Sequence, residues 1–143
     1  MITNTRVSKA TRIVAVATTM LLGSAGALAK EVKVTLTGAE ETPPVTTSAS
    51  GEGTISIAKD KSVKGTIKTT GIDGIAAHIH LGAPGQSGPP IITLTKGADG
   101  TWAVPEGSKL TDEQLASFKN GQLYVNVHSA DHKSGEIRAQ LKP

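Results

Sequence analysis

Half of the four histidines in this 143-residue chain stand two apart in Ala77-His78-Ile79-His80-Leu81, a stretch that reads as a β-strand. Side chains alternate across a strand, so His78 and His80 share a face, roughly 6.5 Å apart at about 3.3 Å of rise per residue. Two imidazoles at that spacing can converge on one ion at a nitrogen–metal distance of about 2.0 Å. The competing assignment is a hydrogen-bonded pair within a sandwich or along a wet rim, and a third ligand decides between them. His128 is the candidate. In Gln122–His128 the apolar Leu123, Val125 and Val127 alternate with Tyr124, Asn126 and His128, which puts the histidine at a strand end. The loop that follows adds Asp131 and His132, as a fourth ligand or as outer partners of the ligands. Asn126 and Asp131 suit either assignment, orienting metal-bound rings or simply pairing with them. An imidazole-only set favours copper, which outcompetes other divalent ions at such a site.

The chain contains no cysteine, which excludes a thiolate metal site and thiol catalysis. Serines are plentiful, but none sits in a nucleophile elbow and no Ser-His-acid set is identifiable. Arg6, Lys9 and Arg12 precede an apolar run, Ile13–Leu22, and a small-residue stretch ending in Ala27-Leu28-Ala29. This is the pattern of a cleaved export signal over residues 1–29, followed by one domain over residues 30–143. Those three residues carry the whole excess of 15 Lys+Arg over 12 Asp+Glu. The mature chain is therefore neutral, and with one Trp, one Tyr and one Phe it lacks both the charge and the stacking surface for nucleic acid. No membrane association is expected once the signal is removed, and the destination is periplasmic or extracellular.

The positioning elements follow from alternation and turn chemistry. Glu31–Gly38 alternates with Val32, Val34 and Leu36 inward, and in Glu40-Glu41-Thr42-Pro43-Pro44 the two acids are either ligands or, as favoured here, part of a solvated loop. Gly53–Ala58 and Ser62–Thr69 flank a hairpin tip at Lys59-Asp60-Lys61. Gly82–Pro90, with six Gly or Pro residues in nine, matches no phosphate cradle and instead wraps the chain sharply beside the histidines. A strand over Ile91–Thr95 and an Asp99-Gly100 turn before Thr101–Val104 come next. Thr111 and Gln114 form a capping box for a short helix over Leu110–Gly121. The last strand, Glu136–Leu141, buries Ile137, Ala139 and Leu141 and directs Glu136, Arg138 and Gln140 outward. Eight short strands and one short helix predict an all-β fold, a Greek-key β-sandwich of immunoglobulin-like kind.

The ordered motifs Leu36–Pro44, Ala77–His80, Leu123–Ser129 and Ser134–Leu141 resemble the CHRD (chordin-type) domain over nearly the whole mature chain, from about Val32 to Leu141. That family is similar in fold to copper/zinc superoxide dismutase, so the resemblance implies a superoxide-dismutase-like sandwich. It further implies that His78, His80 and His128 match copper-ligand motifs and that Arg138 resembles, at a shorter spacing, the arginine that guides superoxide. No histidine lies between His80 and His128, so the bridging and zinc-site histidines have no counterparts, and zinc is not expected. Three functions are in play. The first is an exported protein that binds a single copper ion through His78, His80 and His128, with His132 or Asp131 alongside. The second is a metal-free extracytoplasmic module that recognises a protein or a polymer. A copper-only, superoxide dismutase-like enzyme ranks last, so a binding role is expected ahead of an enzymatic one.

Overall fold

Alternating apolar residues give the chain its sheet, and a computed structural model describes that sheet for residues 28–143. The expected export segment lies outside the described residues except for its last two, Leu28 and Ala29. The strands are β1 (Ala29–Thr37), β2 (Ser50–Ala58), β3 (Val63–Thr70), β4 (Gly74–Leu81), β5 (Pro90–Thr93), β6 (Thr95–Lys96), β7 (Thr101–Ala103), β8 (Leu123–Ser129) and β9 (Ile137–Gln140). One helix, α1 (Asp112–Lys119), precedes β8. The fold is all-β and sandwich-like, as the strand pattern predicts.

All nine strands belong to one antiparallel sheet in the order β5-β4-β8-β9-β1-β2-β3-β7-β6. β1, β2 and β3 form a meander, with Val32 opposite Ile55 and Ile57 opposite Val63. The sheet then curls until its edges almost meet. One continuous segment makes the closure: β5 pairs with β4 at one edge, and β6 pairs with β7 at the other. The single strand expected over Ile91–Thr95 is therefore two. Leu94 stands between them, its N–H donating to Ala77 O at 2.9 Å while its side chain is buried in the core. Closing the sheet this way leaves few unpaired strand edges.

Inside the curl, the alternating residues of β1, β2, β3, β4, β8 and β9 supply one apolar core, in which Leu36, Ile55, Ile79, Leu123, Val125, Val127, Ile137 and Leu141 are fully buried. The local signals read from the sequence are in place. Lys61, at positive φ, turns the β2–β3 hairpin, and Asp99 and Gly100, both at positive φ, turn β6 into β7 in the manner of a type I′ hairpin. Thr111 and Gln114 exchange both capping-box hydrogen bonds at the start of α1. Phe118 anchors the helix in the core.

One expectation about the sheet is overturned. The outward faces of β8 and β9 are not solvated: every residue of both strands is buried. On this face the register sets His78 opposite Asn126, His80 opposite Tyr124 and Asn126 opposite Arg138. Polar residues alternate there as they do on any exposed face. Chain segments distant in sequence then fold across them, and the buried groups find their partners in those segments.

Leu94 is where one edge of the sheet passes to the other, so truncating it leaves a void at the closure. Leu94→Ala is expected to cost about 2–5 kcal/mol of stability, with little change in the dependence on urea concentration, as measured by equilibrium unfolding. A loss below about 1 kcal/mol would show that closure does not rely on this side chain.

Candidate metal centre

The strand pairing of β4 with β8 brings the third imidazole to the first two. The ligand nitrogens of His78, His80 and His128 all lie within 4.8 Å of one another. His78 Nδ1 and His128 Nε2 are 3.0 Å apart, a separation that two ligands about 2.0 Å from one ion can have. The rings meet edge to face, with centroids 5.4 Å apart for His78 and His80 and 5.0 Å apart for His78 and His128. His80 and His128 are buried and His78 is half-buried.

Backbone carbonyls fix the tautomers. His80 Nδ1 lies 2.8 Å from Gly88 O, and His128 Nδ1 lies 2.8 Å from Lys133 O. A carbonyl only accepts, so each Nδ1 carries the proton and each Nε2 presents its lone pair. His128 Nε2 then accepts from His78 Nδ1–H. His80 Nε2 has no partner at all, although it is buried. An orphaned imidazole lone pair beside two other imidazoles is an arrangement that could hold a metal ion. Burial lowers the pKa of His78, and the neighbouring His128 and His80 charges lower it further. Burial also lowers that of His80 against the opposing pull of Gly88 O. Both shifts favour the neutral ring.

The Gly/Pro loop between β4 and β5 wraps beside the histidines as expected, and its anchoring explains why the outer face is closed. Arg138 Nη1 donates to Gln86 O at 2.9 Å, and Nη2 donates to Ala83 O and Gln140 Oε1, both at 3.1 Å. The guanidinium carbon lies 3.5 Å over the Tyr124 ring, whose opposite partner, His80, stacks nearly parallel to it with centroids 4.7 Å apart. Gly88 N–H donates to Tyr124 Oη at 3.1 Å. A side chain on Gly88 would collide with Leu81 O, so glycine is required for the loop to deliver its carbonyl to His80. Arg138 was expected to point outward; it is 1 % exposed. Its donors are spent on loop carbonyls, so it does not stand free at the edge of the site as a substrate-guiding arginine would.

Of the four expected histidine ligands, the structure gathers three. His132 is not among them. Its carbonyl accepts from Ser129 N–H and Gly135 N–H, closing a turn that aims Lys133 O at His128. Asp131 is exposed and also outside the trio.

Glu41, like Arg138, lies where the sequence pattern does not place it. It is buried rather than solvated, and it accepts from Asn126 Nδ2 at 3.4 Å. Burial raises its pKa, opposed by the Asn126 hydrogen bond and the Arg138 charge. Glu136, although burial pushes its pKa up, ends below the usual carboxylate range because the Ser129 and Thr47 hydroxyls bond its charged form. Nothing local marks Glu41 as different from Glu40. Its cover is Asn126 and Gly135, and a side chain on Gly135 would strike both Glu41 Oε1 and Asn126 Nδ2.

The family described as CHRD domain matches residues 32–141. Chordin of Xenopus laevis is 28% identical across 87% of this chain, and the chain spans 14% of chordin's length. No solved structure matches the chain.

The lowered pKa values of His78 and His80 set a sign for the dependence of stability on pH. Between their folded values and 6.5 the unfolded chain binds more protons than the fold, so stability rises with pH through that window and is lost as pH falls through it. Glu41, shifted upward, works in the opposite direction at the acid end. The melting temperature of metal-free protein is therefore expected to fall between about pH 7 and about pH 5.5, and His78→Gln should flatten the slope. A wild-type melting temperature that is level across this interval would contradict the burial of the imidazoles.

Proposed function

The chain belongs to the CHRD domain family, and from that footing we propose that it is an exported module that binds a single copper ion through His78, His80 and His128. The observation that carries this reading is the unpartnered, buried Nε2 of His80, which lies beside two other imidazoles and whose tautomer is set by Gly88 O. Two of the three rings have their outer nitrogen tied to a carbonyl, the arrangement by which proteins orient histidine ligands.

The ligand set is three neutral imidazoles with no thiolate or carboxylate among them, which suits copper and ranks it above the other first-row divalent ions. His80 and His128 offer Nε2. His78, whose Nδ1–H points at His128 Nε2 in the metal-free site, would shift its proton to Nε2 on binding and offer Nδ1. Bound copper would supply a one-electron redox centre. The chain's own residues hold the rings, exclude water from His80 and His128, and keep the loop carbonyls in place. They do not present Arg138 to an incoming anion, and the reading is accordingly binding rather than turnover. Among the described residues no helix is long and apolar enough to cross a membrane, and an extracytoplasmic location follows from the export signal read at residues 1–29.

Titrating purified protein with Cu(II), following the d–d absorption and the melting curve together, tests the assignment. Binding is expected to add about 4 kcal/mol of stability at a thousandfold excess over Kd. His80→Ala and His128→Ala should each abolish the absorption band. A melting curve that copper leaves unmoved would sink the metal assignment and leave the metal-free interaction module in its place. Zn(II) at the same concentration is expected to bind more weakly than Cu(II).

A further inference from the structure

Three imidazoles leave a copper ion short of its usual complement, and the buried face of β8 holds one more unsatisfied donor. Asn126 is 2 % exposed, and its Oδ1 has no hydrogen-bond partner. It stands directly across from His78 in the β4–β8 register, two residues from His128 on the same face and one diagonal step from His80. His80 Nε2 and Asn126 Oδ1 are thus two buried atoms on the same small patch of face, both carrying lone pairs and both lacking a donor. A metal cation satisfies both atoms at once.

The amide has a reason to face this way. Glu41, when ionised, only accepts hydrogen bonds, so the Asn126 NH2 end must turn toward it, as the contact from Nδ2 to Glu41 Oε1 shows. Gly135 leaves the room for that contact. The oxygen is then left on the imidazole side.

We propose that the Asn126 amide oxygen is the fourth donor to the ion, and that Glu41 is the positioning residue that turns it inward. The inference rests on the three-imidazole copper assignment and adds a neutral oxygen to it. The site becomes a three-nitrogen, one-oxygen set of uncharged ligands, and the Glu41 carboxylate behind the amide, when ionised, offsets part of the ion's charge.

Asparagine occurs only at positions 4, 120 and 126, so protein grown with 13Cγ-labelled asparagine carries few labels. Pulsed electron paramagnetic resonance of that protein loaded with Cu(II) is expected to show imidazole nitrogen couplings together with a 13C coupling. Asn126→Leu should remove the 13C coupling and keep the nitrogen couplings. Glu41→Gln should weaken Cu(II) affinity by about 10- to 100-fold and diminish the 13C coupling, a spectroscopic change that loss of packing alone would not produce. Nitrogen couplings without a 13C coupling in the labelled wild-type protein would overturn the fourth-ligand proposal while leaving the three imidazoles intact. Failure of the wild-type protein to bind Cu(II) at all would overturn both assignments. The labelled wild-type measurement needs no variant, so a misfolded Asn126→Leu would not blunt it.

Discussion

The buried guanidinium of Arg138 is the contact on which the closed face of the sandwich depends. A charged side chain at 1 % exposure is tolerated only where its donors are used, and here they reach Ala83 O, Gln86 O, Gln140 Oε1 and, more loosely, Thr42 Oγ1. Two of those acceptors are carbonyls of the Gly/Pro loop, so the arginine is what holds the loop down. The loop in turn hands Gly88 O to His80. Tyr124 sits between them, with the guanidinium on one face of its ring and His80 on the other, so the imidazole's plane is set by the same stack that satisfies the cation. Gln140 completes the anchoring by donating to Gly82 O and Gly121 O, both at 2.8 Å.

This arrangement gives the protein two cores of different character on the two sides of β4, β8 and β9. The inner one is apolar and closes the curl of the sheet. The outer one is polar, built from His78, His80, Asn126, His128, Arg138 and Gln140, with Glu41 and the turn at Lys133 laid across it. Buried polar groups specify a structure only when each is satisfied, because an unpaired one costs its desolvation outright. Nearly every member here is paired. The exceptions are His80 Nε2 and Asn126 Oδ1, two atoms on one patch of the face. The third unpaired buried atom, Trp102 Nε1, belongs to the apolar core.

The dismutase-like expectation drawn from the sequence names the same three histidines but assigns Arg138 a role its surroundings do not permit. A substrate-guiding arginine needs free donors near the open side of the metal. Here the donors are committed to two loop carbonyls and to the side-chain oxygens of Gln140 and Thr42, and the charge lies under the loop against Tyr124. The same residue type on the same strand therefore serves the scaffold.

Local periodicity made much of this protein legible before any tertiary information. Val32, Val34 and Leu36, or Leu123, Val125 and Val127, can face a core only as strands. Thr111 with Gln114, and Asp99 with Gly100, are signals whose physics is complete within four residues. The His-x-His pair shares a face for the same reason, since alternation in a strand needs no partner. What alternation cannot decide is whether a polar face meets water. Glu41, Arg138 and Gln140 read as solvated, and became buried because their partners lie 85, up to 96 and up to 58 residues away. The convergence of His78 with His128, 50 residues apart, and the exclusion of His132, only four residues beyond His128, were likewise decided by pairing and turn geometry. Sequence determined which residues were able to share a face; only the tertiary structure determined what covers that face, because hydrogen-bond satisfaction of a buried polar group depends on distant chain that local pattern does not encode.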